Sequence, residues 1–157
     1  MVGTFGDNLK DTARSLAKGL DISAADLDVL ERLGTCINYN GYGPSLEDLH
    51  FNPEDLYRTL LAAGQPLEFV RGSADCDKLC TGYAQDMAMA GSLEPMSGDD
   101  ATAVFLLPDE AWARRVSGVF SNDLATGNPG RAHAVLTAKA NGNYLVSVRA
   151  PLSNKRG

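Results

Sequence analysis

Apolar residues recur at helical spacing through most of the first 95 positions, then shift to alternation toward the end of the chain. Val2 to Phe5 is a short apolar run broken by Gly6-Asp7-Asn8, a pattern that predicts a strand handing over to a helix. Asp7 or Asn8 would cap that helix, and Leu9, Ala13, Leu16, Ala17 and Leu20 would form its apolar face. Ser23 with Asp26 three residues on predicts the start of a second helix, carried on by Leu27, Leu30 and Leu33. Gly34 is a candidate end for it, although Thr35-Cys36-Ile37 could add a turn. The run from Asn38 to Pro44 reads as a loop, with two tyrosines expected to anchor it on the core. Asn52-Pro53-Glu54-Asp55 places a cap, a proline at the first helical position and acids in the first turn. Leu56, Tyr57, Leu60 and Leu61 continue that helix to Gly64. Residues 67–95 predict one or two further helices, interrupted by Gly72 and Gly82.

Pro95 to Asp100 has the composition of a linker, and beyond it the pattern changes. Ala101 to Leu107 reads as a strand. A helix opens at Pro108-Asp109 with Trp112, Val116, Val119 and Phe120 inward, and with Arg114 and Arg115 elsewhere on that helix. A loop over Thr126 to Gly130 leads to two strand-like runs around Asn141-Gly142, which fits a two-residue type I′ turn. That turn pairs Lys139 with Tyr144, Thr137 with Val146, Val135 with Val148 and Ala134 with Arg149. Tyr144, Val146 and Val148 then face the core, while Leu145, Ser147 and Arg149 share the other side with small alanines, leaving room for a ligand. The fold class expected is α/β: a mostly helical first two-thirds, then a small mixed part ending in a β-hairpin. No element is left to cover the second face of the sheet.

Charge sharpens the interest in that hairpin. The chain of 157 residues carries a formal net charge of −6. Residues 124–157 nevertheless contain no acid, and their bases are Arg131, Lys139, Arg149, Lys155 and Arg156. A basic patch on an acidic protein suits an anionic ligand such as phosphate, or else protects a sheet edge with solvated charge. No apolar run approaches the length needed to span a bilayer, and no leader-like segment opens the sequence, so a cytoplasmic location is expected. The three cysteines, Cys36, Cys76 and Cys80, are an odd and scattered set, which argues for reduced, buried thiols rather than a disulfide framework. With only His50 and His133 beside them, a four-ligand zinc site is not available. Both histidines read as packed side chains.

Residues 144–155, Tyr-Leu-Val-Ser-Val-Arg-Ala-Pro-Leu-Ser-Asn-Lys, resemble the opening of the DHH-associated domain of DHH-superfamily phosphoesterases. Ser147-Val148-Arg149 matches the start of that domain's Ser-x-Arg-Ser strand, while Ala150 departs from its last place. Val2 to Leu9 resembles the last motif of the family's catalytic domain, Gly-Thr-x-x-Asp, with Gly3, Thr4 and Asp7 in the matching places. The resemblance implies three parts: residues 1–20 as the end of a DHH-like catalytic domain, 21–97 as a helical interdomain segment, and 98–157 as the incomplete start of the associated domain. It implies a manganese- or magnesium-dependent phosphohydrolase, with Asp7 as one metal ligand. Arg149 and Ser147 would hold the substrate phosphate, and Arg131 and Lys155 are weaker candidates for the same role. The partner implied is a phosphate-containing small molecule or a short single-stranded oligonucleotide.

The rest of the family's chemistry is not in this sequence. Two-metal hydrolysis needs a cluster of Asp and His ligands, and the Asp-x-Asp and Asp-His-His motifs are absent, as is the glycine-rich histidine loop. No catalytic residue is therefore assigned, and the chain alone is expected to have little or no phosphoesterase activity with manganese. Nucleophile-elbow, P-loop and dinucleotide motifs are also missing. The alternative is a non-catalytic α/β module that binds a nucleotide or a protein. The exposed hairpin edge leaves a homodimer open under either reading.

Overall fold

A computed structural model describes residues 1–151. It shows an α/β chain made of two compact units, Met1–Ala84 and Gln85–Gly157. The division falls inside a helix, earlier than the change in composition at Pro95–Asp100. The reason is packing: Met87, Ala90 and Leu93, at and just after the end of that helix, join the core of the second unit.

The first unit is helical: α1 (Val2–Gly6), α2 (Lys10–Ala17), α3 (Ala24–Tyr39), a 3-10 turn (Leu46–Asp48), α4 (Pro53–Ala63), α5 (Pro66–Gly72) and most of α6 (Ala74–Gly91). The two local start signals are realised as expected. The Ser23 hydroxyl accepts from the Asp26 amide at 3.0 Å, and the Asn52 side chain accepts from the Glu54 amide at 2.9 Å. Gly64, at φ +71°, ends α4. Gly34 does not stop α3, which runs to Tyr39. Instead Gly34 receives α1: a Cβ at Gly34 would lie 2.3 Å from the Val2 carbonyl oxygen, and one at Gly6 would lie 2.9 Å from the Gly34 oxygen. Val2 to Gly6 is therefore a short helix seated on α3, not the strand its composition suggests. Every described element of this unit is helical, so a strand would leave its amides without a ladder. Phe5, buried with Ala13 and Leu30, fixes the seat. The amphipathic reading of two helices was too generous, because Leu9, Leu16 and Leu20 around α2 and Tyr57 and Leu61 of α4 are exposed.

The loop after α3 is tied down by Asn40, whose buried side chain donates to the Phe51 carbonyl and accepts from the Phe51 amide, both at 3.0 Å. Tyr39 is buried, with Tyr83 and Tyr42 edge-on to it. His50 is packed, as expected. Its ring lies where a Cβ on Gly82 would stand, so Gly82 serves a close approach inside α6 rather than a break.

The second unit is a four-stranded sheet in the order β1 (Ser97–Gly98), β2 (Thr102–Leu107), β3 (Ala132–Ala138), β4 (Tyr144–Arg149). Helix α7 (Ala111–Gly127) makes the crossover between the parallel strands β2 and β3. Ala103, Phe105, Leu107 and Val135 face Ala113, Val116 and Phe120 of α7, with Phe105 and Phe120 edge-to-face at 5.3 Å. The opposite face carries Leu106, Tyr144, Val146 and Val148, all exposed. Arg115 of α7 is buried and donates to both oxygens of buried Asp86 on α6, at 2.7 and 2.9 Å.

Candidate functional site

The hairpin carries the residues singled out by charge and motif, and its register decides what they can do. The turn is not the two-residue type. The Gly142 amide donates to the Lys139 carbonyl and the Lys139 amide donates to the Asn143 carbonyl, both at 2.9 Å, while Gly142 stands at φ +80° and Asn141 keeps a negative φ. This is a three-residue loop, Ala140-Asn141-Gly142, with glycine in the left-handed position. One extra loop residue shifts the pairing: Arg149 faces His133, Val148 faces Ala134, Ser147 faces Val135 and Val146 faces Leu136. Since side chains alternate, this shift exchanges the two faces of β4 relative to expectation. Tyr144, Val146 and Val148 point away from the core, and Val148 is 60% exposed. Leu145, Ser147 and Arg149 stand on the side of α7, in line with buried His133, Val135 and Thr137. The small alanines of β3 belong to the other face and make no room around Arg149.

Arg149 and Ser147 are brought together. The guanidinium donates through Nε to Asn122 Oδ1 of α7 at 2.8 Å, and through Nη1 to Ser147 Oγ and the Val148 carbonyl, each at 3.1 Å. Both side chains are half-buried. Helix α7 thus aims the arginine by one edge, and sequence reasoning missed Asn122, which has no motif to mark it. An arginine held this way loses little rotamer entropy when it meets a two-oxygen anion.

Arg131 is engaged elsewhere. Its Nε and Nη2 both donate to the Thr102 carbonyl, at 3.1 and 2.9 Å, clamping the starts of β2 and β3. Asp99 folds back on the same corner, accepting from the Ala101 and Thr102 amides and the Thr102 hydroxyl. The Thr102 amide and hydroxyl hold its carboxyl below the usual range, with a smaller contribution from Arg131. Lys155 lies outside the described residues.

Asp7 follows the last residue of α1, its amide donating to the Gly3 carbonyl at 3.0 Å while the Asn8 amide donates to the Phe5 carbonyl at 3.0 Å, so it closes that helix rather than capping α2. No group of three or more His, Cys, Asp or Glu side chains suited to a metal occurs among the described residues. Asp7 alone does not fit a manganese or magnesium site.

His133 is packed in the core of the sheet's helix side, with Nδ1 lacking a hydrogen-bond partner. Burial, with a further contribution from the Arg131 charge, lowers its pKa below the ordinary 6.5. The unfolded chain therefore takes up this proton at a higher pH than the folded one. Stability from this residue is full above about pH 6.5 and falls as the pH drops through 6.5 toward the folded value. Unfolding midpoints measured across that window are expected to fall with acid in the native protein, and less steeply in His133→Phe. Equal slopes would show that His133 does not carry the effect.

The described residues include no helix long and apolar enough to cross a membrane. No protein-family model matches the chain, and comparison with curated proteins and with solved structures likewise gives no match.

Proposed function

We propose that this chain is part of a metal-dependent phosphoesterase resembling the DHH family, and that its second unit grips the phosphate of the substrate. The observation that supports this reading is the Ser147–Arg149–Asn122 arrangement: a guanidinium oriented by an amide oxygen, beside a hydroxyl, in a stretch free of acids. The substrate class is a phosphate ester or phosphodiester, such as a nucleotide, a polyphosphate or a short single-stranded oligonucleotide, in the cytoplasm. Manganese or magnesium would be held chiefly by residues other than those of this chain, with Asp7 at most one ligand. The second reading is a non-catalytic module that uses the same grip on a nucleotide, or the open face and edge of the sheet on a protein, including a second copy of itself.

Titration with a nucleoside monophosphate and a short oligonucleotide, followed by NMR with and without manganese, tests the grip. Amide shifts are expected to centre on Ser147, Arg149 and Asn122 and to be indifferent to metal. Arg149→Ala should weaken binding about 10- to 100-fold, the range for losing charge-assisted hydrogen bonds. Absence of shifts at millimolar ligand would remove the phosphate reading. Hydrolysis by the pure chain that survives Arg149→Ala would show that other groups do the chemistry.

A further inference from the structure

The helical unit holds a cluster of nucleophiles that the phosphate grip does not use. Cys36 of α3 and Cys76 and Cys80 of α6 are buried in one hydrophobic core, and all three are free thiols. Cys76 and Cys80 are one turn apart on one face of α6, and Cys36 reaches them from α3. Cys80 shares one packed core with Cys36 and Cys76 and stands beside Arg32 at the wall of two openings. It is 7% exposed but not sealed off. Together with Arg32 it lines a cleft of about 520 Å³, shared with Lys10, Glu31, Thr35 and Tyr83, and also a smaller opening beside Cys76 and Val70.

The three sulfurs are not equivalent. Hydrogen bonding from Cys36 lowers the pKa of Cys80 against the opposing effect of burial, and the Arg32 charge adds to the lowering. The same bond pushes Cys36 up, and burial pushes Cys76 up. Of the three, Cys80 is the most exposed thiol and the one beside Arg32 at the wall of a cleft wide enough for a small molecule.

We propose that Cys80 is an oxidisable nucleophile that reduces a small hydroperoxide and is resolved by Cys36 into an intramolecular disulfide. In the first step the Cys80 thiolate attacks the outer oxygen of ROOH. The S–O bond forms as O–O breaks, and the alkoxide leaves with a proton from water as ROH. In the second step the Cys36 sulfur attacks the sulfenic sulfur, and hydroxide leaves with the Cys36 proton as water. Two electrons pass from the two sulfurs to the peroxide. Cys36 is the resolving partner because it approaches from a different helix. Residues four apart on one helix hold their Cβ atoms about 5–6 Å apart, farther than a disulfide takes.

The test uses the full chain and hydrogen peroxide, with alkylation of remaining thiols and peptide mapping by mass spectrometry. Loss of two hydrogens, a crosslinked peptide joining Cys36 to Cys80, and reversal by dithiothreitol are expected. In Cys36→Ser, dimedone should trap a sulfenic acid at Cys80. Before oxidation, Cys80 should be alkylated at neutral pH about tenfold faster than Cys36 or Cys76, and Arg32→Met should narrow that gap. Equal alkylation of the three thiols in the folded protein, or a crosslink between Cys76 and Cys80 instead, overturns the proposal. The mapping of the native chain needs no variant to fold, so the result stands whether or not Cys36→Ser is stable.

Discussion

Arg115→Met is expected to destabilise the second unit by about 3–5 kcal/mol, the cost of stranding one partner of a buried ion pair. Asp86 is 2% exposed, and the guanidinium engages both of its oxygens. Without that guanidinium the carboxylate keeps its desolvation cost and loses the charge that offsets it. A loss of this size is a large part of the stability of a typical domain. The double change Asp86→Leu with Arg115→Met should recover most of it, because a pair replaced by apolar groups of similar size is often neutral or better. Trp112, the single tryptophan, packs against the core of this unit, so urea unfolding followed by its fluorescence reports the right transition. A loss below about 1 kcal/mol for the single variant would mean that water reaches Asp86 readily.

Gly34→Ala is expected to unseat α1 and to lower the stability of the helical unit by about 2–3 kcal/mol. Alanine is the better helix former by about 1 kcal/mol, so propensity alone predicts a gain. The new methyl, however, would stand 2.3 Å from the Val2 carbonyl oxygen and 3.0 Å from Phe5 Cβ, and the first of these neighbours is backbone. Overpacking of this kind costs about 1–3 kcal/mol, and a displaced α1 would also uncover Phe5. Gly118→Ala is the matched comparison. That glycine lies within α7 with nothing within 4 Å of its added Cβ, and it should gain up to about 1 kcal/mol. The same chemical change should thus move stability in opposite directions in the two helices. Circular dichroism follows the first and Trp112 fluorescence the second. Two gains would show that α1 can shift away from Gly34 without cost.

What could be read from the sequence was local. The caps at Ser23 and Asn52 depend on residues two or three positions away, and both form as the pattern implies. The order strand, helix, strand, strand from β2 to β4 also follows from periodicity that changes along the chain, whereas the two-residue β1 lies in the stretch that reads as a linker. What escaped was set by distant partners. Nothing near Val2–Gly6 says that Gly34 will offer a groove, and nothing near Arg115 announces Asp86, 29 residues earlier. The pairing of Ser147 with Arg149 was legible, because residues two apart on a strand share a face. Which face they share was not, since that depends on a loop longer by one residue than the Asn-Gly signal suggests. Asn122 was invisible for the same reason as Asp86: its role exists only once α7 lies beside β4.

The hairpin loop carries a further consequence, for insertions and deletions. Lys139 and Asn143 already face each other across Ala140-Asn141-Gly142. A gene that lost the Ala140 codon would leave the same two residues facing across Asn141-Gly142, in the type I′ connection this dipeptide favours. Every ladder pair from Ala138–Tyr144 to His133–Arg149 would keep its partner. Chain length at this point is therefore free to vary by one residue while the strands, and Arg149 with them, stay in place.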